Sequence, residues 1–332
     1  VGLLQESERS DGMSVASRGE VSVAPTTVDG AVIIEQFSDA AGGVTRTNSF
    51  VVPQIARVTH LRVDDSGNTA IVGECANEAN PGDLWPLPNG YDIRPYGLGS
   101  SVPCTDTSLP GQPGGQYLMV KIGSLGQVLY GSFFGFSVDQ ITPNSVEIDA
   151  LGRVYIAGDT HVSGPTILHT FNAFLLQPGD AFCDPAGPEC QPRDAFLIVF
   201  DPRFADDASY HYASYLGGSG EESDVAMALD RGTGRVHLVG NTRSKTTFLD
   251  TPFAAAGAIY EFVIDVDQPP ATQLVRSGTI DESSGASFLS ADRSRARFGL
   301  RSDGTYALLP VPNGAPPLVN AIYSAPRDPN AS

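Results

Sequence analysis

Basic residues are scarce in this chain: Lys and Arg number 20 against 38 Asp and Glu, a net charge of −18 at pH 7. A nucleic-acid binder must neutralise phosphates with clustered cations, so that class is excluded, and an anionic membrane surface does not attract such a chain. Strong negative charge instead serves solubility and mutual repulsion of copies outside a cell. Apolar runs long enough to span a bilayer as a helix are missing. So is amphipathic helical periodicity of useful length, which predicts very little helix. There is no initiating Met and no signal peptide; a chain that starts at Val1 reads as a processed or partial product.

Cysteine and tryptophan are sparse too, at four and one. Cys75, Cys104, Cys183 and Cys190 show neither CxxC spacing nor nearby histidines, so disulfides in an oxidising compartment are expected ahead of zinc. Cys183 and Cys190 bracket a short Pro/Gly loop suited to a local bridge, and Cys75 and Cys104 flank a Pro/Gly-rich insertion. We expect the pairings 75–104 and 183–190 over the other two connectivities, each contributing about 2–4 kcal/mol in the chain-entropy view. The expected location is secreted or at the cell surface, with the periplasm as the variant.

Glycine (36) and proline (25) are abundant, as many short strands and turns require. The chain is organised around Tyr212–Thr242, where strand-like runs Tyr212–Leu216, Asp224–Leu229 and Arg235–Val239 are separated by glycine turns. The turn-plus-strand piece recurs as Asp65–Gly73 and Asp149–Gly158, and in eroded form at Ser17–Val23 and Asp292–Leu300. Each copy is followed by an apolar run: Ala31–Phe37, Tyr117–Ile122, Ala195–Phe200, Ile259–Ile264 and Tyr306–Leu309. A fourth run follows each: Asn48–Val52, Val128–Phe134, Tyr212–Leu216, Gln273–Arg276 and Leu318–Tyr323. Four strands per unit in a constant order predict an all-β chain, a β-propeller of about five four-stranded blades.

These units resemble the bacterial SBBP (β-propeller) repeat, whose pattern is Y-x-T-Y-L-G-G-S-G-x-D followed by A-x-D-x-x-G-N-x-Y-V-x-G-x-T. Tyr212–Thr242 matches it closely, Gly131–Gly135 with Asp149–Thr160 well, and Val63–Gly73 in part. The resemblance covers Val58 to Arg276 and implies a secreted or surface protein. Blades are expected at about 11–52, 57–136, 145–217, 223–280 and 285–324 of one domain over 1–325. Val1–Gln5 would be a ring-closing strand and 326–332 a tail or the start of a linker.

Blades two and three carry long insertions, Glu74–Gln116 and Asp159–Arg193, which hold the cysteine pairs. Loops of that length are functional or disordered, and disulfides favour order. In a propeller both would emerge on one face. The first insertion carries Trp85, Tyr91 and Tyr96, rigid aromatic surface suited to a protein or glycan contact. The competing explanation is that these rings pack the insertion onto its own blade.

Signals for chemistry are weak. His60, His161, His169, His211 and His237 are scattered without ligand spacing, so no metal site is expected. No G-x-S-x-G elbow occurs, and Gly217–Gly220 reads as a turn between blades. Calcium is the one cofactor to weigh, at Asp206-Asp207, Glu221-Glu222 or Asp265–Asp267; none fits the D-x-[DN]-x-[DN]-G loop, and solvated turns are favoured. A carboxylate pair for glycoside cleavage depends on a spatial separation of about 5–10 Å, which a sequence does not display. The expected role is therefore a non-enzymatic extracellular β-propeller, a protein- or glycan-binding or structural subunit of a surface or periplasmic assembly. The alternatives are a polysaccharide hydrolase or lyase with carboxylates at the propeller channel, and a purely structural repeat segment of a longer surface protein.

Overall fold

Glycine-marked turns set where the strands end. The structure, a computed structural model, describes residues 13–15, 21–23, 27–28, 31–40, 43–52, 55–75, 117–134, 141–160, 171–173, 194–217, 222–230, 233–242, 259–280, 287–289, 295–300 and 306–309. Among these the chain is all-β, with short 3-10 turns at Asp206–Ser209 and Pro270–Thr272 and no α-helix.

The first sheet holds β1 (Met13–Val15), β2 (Val21–Val23), β3 (Thr27–Val28), β4 (Ala31–Ala40) and β5 (Gly43–Val52). β2 and β3 follow each other along one edge of β4, at Val23↔Glu35 and Thr27↔Val32, and β5 takes the other. They amount to one interrupted strand. The second sheet is β6 (Ile55–Val63), β7 (Thr69–Cys75), β8 (Tyr117–Ile122) and β9 (Val128–Phe134), in that order. The third is β10 (Ile141–Ile148), β11 (Val154–Thr160), β12 (Ala195–Phe200) and β13 (Tyr210–Leu216). The fourth is β14 (Glu222–Asp230), β15 (Arg235–Thr242), β16 (Ile259–Ile264) and β17 (Leu274–Ile280). A three-stranded sheet follows, β18 (Ser287–Leu289), β19 (Arg295–Leu300) and β20 (Tyr306–Leu309).

The apolar runs expected at 117–122, 195–200, 259–264 and 306–309 are β8, β12, β16 and β20. β4 and β5 run longer than the expected Ala31–Phe37 and Asn48–Val52. The expected strands Leu318–Tyr323 and Val1–Gln5 lie outside the described residues. The repeat aligns on Asp64, not Asp65: Asp64 Oδ1 accepts from the amides of Ser66 and Asn68 at 2.9 Å each, as Asp149 Oδ1 accepts from Leu151 and Arg153 at 2.9 and 2.8 Å. A carboxylate that caps the second and fourth amides after it holds the chain in the reversal. Gly67 (φ 79°) and Gly152 (φ 82°) complete it in the left-handed region.

The chain forms two compact units: Val1–Ile156 with Gly164–Phe171 and Ile198–Ala213, and Ala157–Ser163 with Asn172–Leu197 and Ser214–Ser332. In the first, all six residues of β8 are buried. Successive side chains of a strand point to opposite faces, so both faces of the second sheet are covered. Leu118, Val120 and Ile122 join Leu61, Val63 and Ile71 in a core with Ile34 and Val52 of the first sheet. On the other face Tyr117 stacks on Phe134, with centroids 5.8 Å apart. Phe134 and Tyr130 lie 6.3 and 5.9 Å from Phe200. The Tyr130 hydroxyl closes that side 2.9 Å from Ser209 Oγ. In the second unit Tyr260 and Phe262 are fully buried in β16, their rings 4.9 Å apart.

Two glycines separate backbone strain from crowding. Gly126 (φ 87°) has its absent Cβ position 2.5 Å from the Phe50 ring, whereas nothing lies within 4 Å of that position at Gly234 (φ 74°). Gly234→Ala should cost about 1 kcal/mol from backbone conformation alone. Gly126→Ala should cost about 1–3 kcal/mol more by displacing Phe50. Urea denaturation of both variants checks this, and equal losses would show that Phe50 is not seated as described.

Candidate functional site

Hairpin ends of the second and third sheets bring together a buried charged array, all of it in the first unit. Lys121, next to last in β8, sends its ammonium to the Gly152 carbonyl at 2.7 Å and sits 3.6 Å from Asp64 Oδ2. Burial pushes this amine below its ordinary value, opposed first by Asp64 and then by Asp149 and Asp201. Arg153 donates from Nε to Asp149 Oδ2 at 2.5 Å, and the Tyr155 hydroxyl donates to the same oxygen at 3.2 Å. Arg153 Nη1 lies 3.1 Å from His211 Nε2. Asp201 accepts from Arg203 Nε at 2.8 Å and from Nη2 at 2.6 Å. Burial raises the Asp201 carboxyl, but the Arg203 donors outweigh it and hold the group below the usual carboxylate range. Acids and bases are matched here, and Lys121 is too enclosed to attack a substrate. The array ties turns together.

A second polar constellation lies in the second unit, around Gly217 at the end of β13. A Cβ at Gly217 would stand 2.2 Å from Asp194 Oδ1 and 2.7 Å from Glu222 Oε2, so the two oxygens are no farther apart than those distances combined. Only glycine admits the chain between them. Thr242 Oγ1 donates to Glu222 Oε1 at 2.6 Å. Thr160 Oγ1 donates to the Asp194 carbonyl at 3.2 Å and accepts from the Asp194 amide at 3.1 Å. The acids are 1% and 0% exposed. That upper bound on their separation is shorter than the separation of about 5–10 Å between paired catalytic carboxylates, and the enclosure keeps a sugar ring away.

Trp85, Tyr91, Tyr96, Cys104, Cys183 and Cys190 lie outside the described residues, as do His161 and His169. Cys75 closes β7 opposite Ile55, and the expected 75–104 and 183–190 bridges rest on residues outside the described set. His60 lies in β6 opposite Val72, and His237 in β15 between Ala228 and Val263. Asp206 and Asp207 begin a 3-10 turn, and Asp265 Oδ1 accepts from the Asp267 amide at 3.3 Å. Among the described residues no group of three or more His, Cys, Asp or Glu could hold a metal. The array around Lys121 and the Asp194–Glu222 pair were not foreseen, because their members are brought together only by folding. Also unforeseen were exposed apolar residues at hairpin tips, Leu125, Leu151 and Phe204, 86%, 53% and 52% exposed. The signal for the first two was an apolar residue placed directly before the turn glycine.

No family model matches the chain, and no curated protein matches it. Among solved structures it is similar to a single-residue mutant of levansucrase from Bacillus subtilis, with TM-score 0.34 and 9% identity over 92% of this chain and 79% of that one. A likeness of that degree carries no argument about activity or family.

A carboxyl held below its unfolded value contributes stability above the ordinary carboxylate range, and that contribution is lost as pH falls through the folded value. Asp201→Asn should therefore show a shallower loss of stability between neutral and acid pH than the parent chain, read from urea midpoints across pH. Identical slopes would mean that Arg203 does not hold this carboxylate.

Proposed function

We propose that this chain is a non-enzymatic β-propeller of SBBP-type repeats, secreted or displayed at a bacterial surface or in the periplasm. It acts as a protein- or glycan-binding subunit of a larger assembly. The observation that carries the propeller reading is the layering of the first unit, where the second sheet is covered on one face by the first sheet and on the other by strands of the third. First strands support it as well: β10 runs beside β6, and Arg62 grips Glu147 from Nε, at 3.1 Å, and from Nη2. Neighbouring sheets that meet first strand to first strand are what a radial arrangement requires. The contact surface in this reading is the pair of long insertions, stapled by the 75–104 and 183–190 disulfides, with Trp85, Tyr91 and Tyr96 as anchors.

The polysaccharide-cleaving alternative draws on the Asp194–Glu222 pair, but burial of both acids weighs against it. A purely structural repeat segment would need no aromatic insertion. Replacing Trp85 and Tyr91 together with Ala should abolish retention of a surface protein or glycan ligand on an array, by about tenfold or more in affinity, while thermal stability stays unchanged. Unchanged binding removes the aromatic anchors. Turnover of glycan mixtures by the parent chain would favour the enzymatic reading.

A further inference from the structure

The turn acids of the second and third sheets cap their hairpins alike but meet different cations. Asp149 gives its second oxygen to the Arg153 guanidinium. Asp64 instead faces an amine: Lys121 Nζ lies 3.6 Å from Asp64 Oδ2, with the two side chains 5% and 11% exposed. The next-to-last position of β8 that holds Lys121 holds Val199 in β12 and Val263 in β16, so a strand of this kind does not require a lysine there. The Gly152 carbonyl fixes the amine at 2.7 Å, and a Cβ at Gly152 would stand 2.8 Å from Nζ. The Asp64 carboxyl carbon is one bond from the facing oxygen. Its other oxygen, Oδ1, sits between the amides of Ser66 and Asn68 at 2.9 Å each, the spacing of donors that hold a developing oxyanion. Asn68 Nδ2 donates to Oδ2, also at 2.9 Å.

We propose that Lys121 and Asp64 are the site of an intramolecular isopeptide bond, Nζ to Cγ, that ties β8 covalently to the β6–β7 turn. Folding holds nucleophile and carboxyl side by side, which makes the reaction unimolecular. Burial pushes the Lys121 amine below its ordinary value, opposed by Asp64, Asp149 and Asp201 in turn. Desolvation of this kind favours passage of one proton from Nζ to Oδ2, which leaves a neutral amine beside a neutral acid. The amine lone pair then attacks Cγ, and the carbonyl π pair moves onto Oδ1 between the two amides. As that pair returns, the Cγ–Oδ2 bond breaks and Oδ2 departs as water, taking a second proton from the nitrogen. Ammonium and carboxylate thus become an amide and one water, and neither oxidant nor co-reactant enters. The product removes two buried charges, whose enclosure is costly.

Intact-mass spectrometry of the folded full chain, unfolded and reduced just before measurement, tests the bond. The mass should fall short of the sequence mass by one water, and protease digestion should yield a branched peptide joining the segment of Asp64 to that of Lys121. Chain isolated in urea from inclusion bodies should carry the full sequence mass and lose the water on refolding, because pairing of β6, β7 and β8 creates the site. Lys121→Arg and Asp64→Ala should each restore the full mass. The parent chain's mass and branch point decide the matter without either variant. A folded parent chain of full sequence mass overturns the proposal, as does a lost water mapped to a succinimide at an Asp-Gly step such as Asp303-Gly304.

Discussion

The first unit depends on covering both faces of its inner strands. A four-stranded sheet with one covering neighbour would still expose one face of β8 to water, because Tyr117–Ile122 presents Leu118, Val120 and Ile122 on one side and Tyr117 and Met119 on the other. The first sheet seals one side with aliphatic contacts. Strands of the third seal the other with a cluster of aromatic rings around Phe200. The two seals differ in chemistry because the strands that supply them differ: Ile34 and Val52 on one side, Phe200 and Tyr210 on the other.

Local and long-range forces meet at the turns. The Asp64 and Asp149 carboxylates first cap their own hairpins, and then lend their second oxygens to Asn68 in one case and to Arg153 and Tyr155 in the other. The same residues that fix strand boundaries therefore fix how one turn meets the next, with Lys121 reaching from β8 to the Gly152 carbonyl. Burying such charges is tolerable because each has an opposite partner and hydrogen bonds to the remaining atoms. A hairpin slipped by one residue would leave a carboxylate without its amides. Register and packing thus reinforce each other.

Strand order and most strand boundaries were legible in the sequence, because apolar runs and turn glycines are local signals. Runs such as Val128–Phe134 and Ile259–Ile264 could be read directly. The recurring piece begins one residue before the expected Asp65, at Asp64, because two adjacent aspartates precede one glycine turn and only the hydrogen bonds tell them apart. The length of β4 and β5 was hidden because Ser38–Gly43 carries small and polar residues without strand character, and pairing alone extends the ladder there. Contacts such as Arg62 with Glu147 join residues 85 apart, and no local pattern announces them. Of the site, the sequence offered aromatic anchors in an insertion, while the buried acids around Gly217 emerged only from the folded chain.

The most direct test of side-by-side first strands is a double-mutant cycle on Arg62 and Glu147, using Arg62→Met and Glu147→Gln with stability measured by urea denaturation. If β6 and β10 are neighbours, the two losses should be coupled by about 0.5–3 kcal/mol. Losses that add to within about 0.5 kcal/mol would contradict the layering on which the propeller reading rests.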